Sequence, residues 1–205
     1  LHYPLRRQRQ MCIRDSAVIK NIEDSLTEVS NITSIVNRFR NYARRSTKRI
    51  VSEVDLKAVA ERTVQLLSAS ARQGRVTLRL EGMDKLPHIY ASEKDIEQLF
   101  FSLVENAVQA ADGEKDSQLI IGGDVKEDRV ELRFCDDCGG IAPENLDRIF
   151  EPFFTTRPEG EGTGLGLCIV KDVVSRTRGK VRVESELGKG STFFVTLPIN
   201  KDEKS

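Results

Sequence analysis

The sequence predicts an α+β fold: a two-layer α/β sandwich in which helices cover one face of a mixed sheet. Two observations carry that prediction. Helical apolar stripes and strand-like alternations come in blocks, and the strands are joined in pairs through short turns, as hairpins are. Between Cys135 and Leu167, moreover, a carboxylate after a strand, a glycine pair, an aromatic segment and an alternating glycine run follow one another. Those are the parts needed to hold a nucleotide against the sandwich.

Residues 1–16 are expected to be a non-native or disordered tail, because Met11-Cys12-Ile13-Arg14-Asp15-Ser16 resembles translated sequencing-adapter DNA. From Ala17 to Ser46 the apolar positions Val18, Ile22, Leu26, Val29, Ile32, Val36, Phe39 and Ala43 recur every three or four residues. A helix of about 30 residues is about 45 Å long. Its seam needs either a partner helix or the body of the domain. The basic cluster Arg44, Arg45, Lys48 and Arg49 suits the C-terminal pole of that helix.

Residues 51–55 read as a connection, with Asp55 capping a helix whose stripe is Leu56, Val59, Thr63, Leu66 and Leu67. That helix ends at Gly74, where a left-handed conformation costs little. Val76, Leu78 and Leu80 alternate as a strand, and residues 88–91 make a second short one. Ser92 with Asp95 resembles a capping box before a helix with the stripe Ile96, Leu99, Phe100, Leu103, Val104 and Ala107, stopping near Asp112-Gly113. Residues 118–125 and 129–135 read as a hairpin around Glu127-Asp128. Residues 165–178 form a helix stopped by Gly179, and residues 180–184 with 191–198 close the chain as a hairpin.

Lys and Arg together number 32, as do Asp and Glu, so the balance offers no footprint for nucleic acid. No apolar run approaches the roughly 20 residues that span a bilayer, so this segment is expected to make no membrane contact, although a longer parent leaves room for an anchor upstream. Four cysteines without a secretory signal fit reduced thiols in the cytoplasm.

Asp136 ends a strand and opens a glycine-rich loop, where a carboxylate either caps a turn or accepts from a ligand such as an adenine amino group. Asp137 is expected to be solvated. Gly162, Gly164 and Gly166 precede an apolar helix and suit an anion site. The run fits neither a dinucleotide fingerprint nor a P-loop, whose glycines and lysine stand in other frames. Asn106 falls beside its helical stripe, where a neutral oxygen suits Mg²⁺ that keeps most of its waters and bridges phosphates. Residues 151–161, rich in glycine, proline and charge, suit a lid with Phe150, Phe153 and Phe154 as anchors. Arg157 either reaches phosphates or is solvated. Cys135 and Cys138 form one Cys-x-x-Cys pair, too few ligands for zinc and without a thioredoxin-like context. His88 is expected to be a buried or edge histidine rather than a catalytic one.

In their joint order and spacing, these segments resemble the asparagine, first glycine, phenylalanine and second glycine boxes of bacterial two-component sensor histidine kinases. That family lies within the superfamily of gyrase, the heat-shock chaperone and the mismatch-repair ATPases, and the resemblance covers residues 17–199. It implies a Bergerat-type ATP-binding fold over residues 51–200, preceded over residues 17–50 by the second helix of a dimerisation and phosphoacceptor hairpin, with 201–205 as a tail. It implies ATP and Mg²⁺ as cofactors, Asn106 on the metal and Asp136 on adenine. Around the nucleotide it places Gly140, Ile141, Phe150, Thr155, Thr156, Arg157, Gly162, Thr163, Gly164, Leu165, Gly166 and Leu167, with Thr192 beside the adenine pocket. The implied activity is transfer of the ATP γ-phosphoryl to a histidine, then to a response-regulator aspartate. The implied partners are a second copy, through the N-terminal helix, and a receiver domain.

Three departures stand out. Cys138 occupies the place of the first glycine of its box, and a left-handed backbone there would cost on the order of 1–3 kcal/mol. Ser102 stands where hydrolysing cousins carry a glutamate base, so water activation is expected to be poor. Only His2 and His88 are present, and neither is followed by the acidic and Arg-x-Pro-like run of a phosphoacceptor. The chain as it stands is therefore expected not to phosphorylate itself. The alternatives are a non-catalytic dimerisation scaffold with a degenerate pocket and an anti-sigma-type serine kinase, the second disfavoured by the helix over 17–46.

Overall fold

The computed structural model describes residues 50–111, 113–158 and 162–200. They lie in the second of the two units into which the chain divides, Lys48–Ser205. The tail over 1–16, the helix expected over 17–46, the tail over 201–205, Cys12, Asp112 and lid residues 159–161 lie outside the described residues.

The chain runs β1 (Ser52–Val54), α1 (Leu56–Gln73), β2 (Val76–Glu81), β3 (Ile89–Ala91) and α2 (Glu93–Ala110), then β4 (Ser117–Lys126) and β5 (Arg129–Asp136), and finally α3 (Gly166–Arg176), β6 (Lys180–Glu186) and β7 (Gly190–Pro198). The main sheet has five strands in the order β2-β4-β5-β7-β6. Only β2 and β4 pair in parallel; the other neighbours are antiparallel. The expected mixed sheet and both expected hairpins are therefore present.

Asp55 caps α1 by accepting the Ala58 N–H at 3.1 Å. The buried face of α1 is Leu56, Val59, Ala60, Thr63, Leu67 and Ala71. Leu66, expected in that stripe, is 69% exposed. Val59, Thr63 and Leu67 follow one i, i+4 row, and Leu66 stands one residue, about 100° of rotation, off it. The left-handed residue after α1 is Arg75, at φ 57°, while Gly74 has φ −80°. Arg75 is anchored by Nε donating to Asp116 Oδ1 at 2.9 Å. The segment expected to be a plain connection is a strand, because Ser52, Glu53 and Val54 pair with Ala91, Tyr90 and Ile89.

Helix α2 packs between α1 and α3. Its stripe is buried as the spacing requires, and the Phe100 ring meets Phe134 of β5 edge to face, centroids 5.2 Å apart. Ser92 makes no side-chain cap. Asp95, the other half of the expected capping box, instead accepts from Arg176 Nη2 at 3.3 Å. Arg176 also bonds Asp172, so the start of α2 and the end of α3 are tied by ions. The sheet face opposite the core carries Arg79, Ile120, Cys135, Thr192 and Glu184 in one row of register partners. Next to that row the Arg182 guanidinium lies over the Phe194 ring, 3.4 Å from its centroid.

Candidate nucleotide-binding site

Strand β5 delivers Asp136 to the core-side end of the sheet. Its carboxylate is 6% exposed and accepts the Cys138 N–H at 3.1 Å. Burial raises its pKa above the ordinary 3.8, opposed by hydrogen bonds from the backbone N–H groups of Cys138 and Ser191. It meets backbone donors rather than a cation, which leaves an acceptor poised at the loop mouth. Asp137, expected to be solvated, is half-buried and accepts the Gln118 N–H at 2.7 Å, which locks β5 to the start of β4.

Gly140 has φ 68°. A Cβ there would lie 2.8 Å from the Glu186 carbonyl carbon, so glycine is required both by conformation and by the approach of the β6–β7 turn. Gly188 N–H donates to Gly139 O at 2.8 Å across the same contact. The Ile141 N–H donates to Ser185 Oγ at 2.8 Å, and Ser185 Oγ lies 2.9 Å from both Gly190 O and Ser191 Oγ. A hydroxyl pair thus ties the first glycine loop to the closing hairpin.

Thr192 does not join that cluster. It pairs with Cys135, whereas Ser191 pairs with Asp136 and is buried with it. Because side chains alternate along a strand, a one-residue step places Thr192 on the opposite sheet face. Sequence reasoning missed Ser191, and the signal that finds it is its register with Asp136.

Cys138 is fully buried, and its φ lies outside the left-handed region, so the expected strain at a glycine position is absent. Its thiol donates to Ala107 O at 3.5 Å. Cys135 stands on the other sheet face, so the Cys-x-x-Cys pair is not assembled as a redox couple. Among the described residues no group of three or more His, Cys, Asp or Glu side chains is arranged to hold a metal. His88 is exposed beside β3, with its ring nitrogens 3.9 Å from Glu53 and from Asp55.

Across the site, Asn106 is half-buried on α2. Phe150 and Phe154 are half-buried, and Arg148 stacks on the Phe154 ring at 4.5 Å. Phe153 is 63% exposed at φ 66°. Its N–H donates to Gly164 O at 2.9 Å, and a Cβ on Gly164 would lie 2.6 Å from Phe153 Cα. This contact brings Phe153 and Gly164 together at the base of the segment expected to be a lid. Thr155 and Thr156 are exposed, and Thr155 Oγ1 accepts the Arg157 N–H at 3.2 Å. Thr163 Oγ1 accepts the Leu165 N–H at 3.4 Å. Helix α3 then starts at Gly166 with no side-chain cap, Leu165 buried behind it and Leu167 half-buried. A Cβ on Gly166 would meet nothing within 4 Å. An uncapped helix start beside open space leaves backbone N–H groups able to receive an anion.

One neutral amide oxygen, that of Asn106, is the donor expected here for Mg²⁺. That fits an ion carried in on phosphate oxygens and waters, and does not fit an all-protein cage. Asn106 would hold the ion from the α2 side.

Three helices backing a mixed sheet, among the described residues, with a buried carboxylate at the end of β5 and an uncapped start to α3, define an α/β sandwich of the kind that can hold a nucleotide. The family model of histidine kinase-, DNA gyrase B- and HSP90-like ATPases matches residues 91–201, and the chain belongs to that family. Sensor histidine kinase ZraS of Escherichia coli (strain K12) is 36% identical over 151 residues, 74% of this chain and 32% of the relative. Sporulation kinase E of Bacillus subtilis (strain 168) is 31% identical over 188 residues, 92% of this chain and 25% of the relative. The chain thus spans between a quarter and a third of the length of these relatives. Full-length ShkA in complex with AMPPNP is similar in structure, with a TM-score of 0.75 and 26% identity over 89% of this chain and 39% of that one. The catalytic domain of histidine kinase ThkA shares the fold at a TM-score of 0.63 and 24% identity, over 73% of this chain and 96% of that one.

Proposed function

We propose that this chain is the ATP-binding catalytic part of a sensor histidine kinase. The γ-phosphoryl leaves ATP as its bond to the bridging oxygen breaks, and a bond forms to a histidine nitrogen supplied outside the matched domain. ADP is released, and the phosphoryl passes on to an aspartate of a response-regulator receiver domain. Residues 17–50 are the dimerisation helix in this reading, pairing with a second copy. In this reading the location is cytoplasmic.

The observation that carries the reading is Asp136, a buried carboxylate held by backbone N–H groups at the mouth of a glycine loop. It accepts from the adenine amino group, with Ser191 beside it and Gly140 and Ile141 walling the base. The N–H groups at the head of α3, with Gly162, Thr163 and Gly164 before them, receive the phosphates. Phe150 and the lid residues Thr155, Thr156 and Arg157 close the site and exclude water. Mg²⁺, when bound, neutralises charge developing on the β- and γ-phosphates. Positioning and charge stabilisation are the protein's share of the chemistry. Ser102 is buried and is no base for water, which favours transfer over hydrolysis.

The scaffold alternative rested in part on a strained Cys138, and that strain is absent. Calorimetric titration of the chain with a non-hydrolysable ATP analogue and Mg²⁺ tests the proposal. Saturable binding that Asp136→Asn abolishes is expected. A folded chain that binds no nucleotide would return the scaffold reading.

A further inference from the structure

Three polar groups meet the hydroxyl of Ser185, which stands half-buried on β6. A hydroxyl has one proton to give and two lone pairs with which to receive. The Gly190 carbonyl, 2.9 Å away, accepts only, so the Ser185 proton lies on it. The Ile141 N–H, at 2.8 Å, fills one lone pair. What remains for Ser191 Oγ, at 2.9 Å, is the second lone pair, and Ser191 is therefore the donor. Its single proton is spent on Ser185, which leaves Ser191 Oγ nothing but lone pairs to offer a ligand.

Ser191 is buried and is the register partner of Asp136, so both side chains lie on the same sheet face. A Cβ on Gly190 would lie 2.8 Å from Asp137 Cα, so the approach of β7 to this end of β5 requires glycine. The ionised Asp136 carboxylate is an acceptor as well, and the pair presents acceptors alone. An amino group at position 6 of a purine gives its hydrogens to such a pair, whereas a carbonyl there sets lone pairs against lone pairs. We propose that Ser185 is a positioning residue for base selection: by receiving the Ser191 proton it holds Ser191 Oγ as an acceptor beside Asp136, which favours a 6-amino purine over a 6-oxo purine. This rests on the ATP-binding reading and deepens it by naming the residue that sets the proton order in the pocket.

The test is calorimetric titration of the full chain, at fixed Mg²⁺, with the β,γ-imido triphosphates of adenosine and of inosine. The readout is the ratio of the two affinities. Ser185→Ala frees the Ser191 proton to meet a carbonyl, and the preference for adenosine is expected to narrow about fivefold, the scale of one neutral hydrogen bond. Ser185→Thr keeps the hydroxyl and is expected to leave the preference as it is. In a Ser191→Ala background, Ser185→Ala is expected to narrow it no further, because Ser185 acts through Ser191. Equal losses for both nucleotides in Ser185→Ala, which a merely structural tether to Ile141 would give, or further narrowing in the double variant, would overturn the proposal. Should Ser185→Ala not fold, Ser185→Cys, whose thiol is a weak donor and acceptor, is expected to narrow the preference in the same direction, and an unchanged ratio there overturns it. Wild-type chain that binds neither nucleotide would instead overturn the ATP-binding reading, and the proposal with it.

Discussion

Cys138 ties the end of β5 to the helix that carries Asn106, for its thiol donates to the carbonyl of Ala107 at 3.5 Å while its N–H donates to Asp136 Oδ1. A glycine at this position would keep the second bond and lose the first. Cys138→Gly would also empty a fully buried site and free a backbone that needs no left-handed conformation. The expected cost is about 1–3 kcal/mol in chemical denaturation, with weaker nucleotide binding rather than restored binding. A tighter-binding glycine variant would show that the thiol obstructs the pocket instead of bracing it.

The three described thiols differ in reactivity for reasons of burial. Burial, with the charge of Asp136 adding to it, pushes the Cys138 thiol up to about 11, and burial raises Cys168 as well. Cys135 is exposed. Brief alkylation of the folded chain at neutral pH, read by peptide mass spectrometry, is expected to label Cys135 and spare Cys138 and Cys168 until denaturant is added. Equal labelling of Cys135 and Cys138 would mean that the end of β5 opens readily.

Asp136 sets stability against binding. Because burial raises its folded pKa above 3.8, the folded chain holds this proton more tightly than the unfolded chain does. Its stabilising contribution is therefore present at low pH and lost as pH rises through the raised folded value. Asp136→Asn should be at least as stable as wild type at neutral pH in urea melts, although it no longer binds nucleotide. That advantage should fade as pH falls toward 3.8. Nucleotide affinity of the wild type should decline on the acid side from a pH above that value. A variant markedly less stable at neutral pH would mean that the ionised carboxylate is chiefly a structural cap.

Local periodicity made much of this architecture legible. The α2 stripe and both hairpins rest on spacings of 3.6 and 2 read within single segments. Asp136 and the glycine run were legible for the same reason, each being a short motif with its own chemistry. Phase and long-range pairing were not. Ser52, Glu53 and Val54 become a strand only because β3 lies alongside. Ser191 and Thr192 are equally good residues for a nucleotide pocket, and only register with β5 decides which one faces Asp136. A side-chain hydrogen bond from Arg157 to Gln109 joins the segment expected to be a lid to α2, and neither residue carries a local signal for the other. Asp95 reads as a local cap in the sequence because its partner, Arg176, lies on another helix.

Gly164 and Gly166, two places apart in one run, are glycine for different reasons. Gly164 has φ 61°, and the Phe153 backbone fills the space where a side chain would go. Gly164→Ala should therefore break the lid neck and cost about 1–3 kcal/mol, lowering the melting temperature with or without ligand. Gly166 has an ordinary helical place at the start of α3, with nothing within 4 Å of a Cβ. The fold gains nothing from glycine there, and alanine is the better helix former by up to about 1 kcal/mol. What glycine does leave is room for a phosphate to reach the uncapped N–H groups. Gly166→Ala should melt at or slightly above the wild-type temperature when free, yet lose most of the upward shift that a saturating ATP analogue gives the wild type. If the alanine variant keeps that shift, the phosphates do not lie at the head of α3, and the second glycine run serves only the lid.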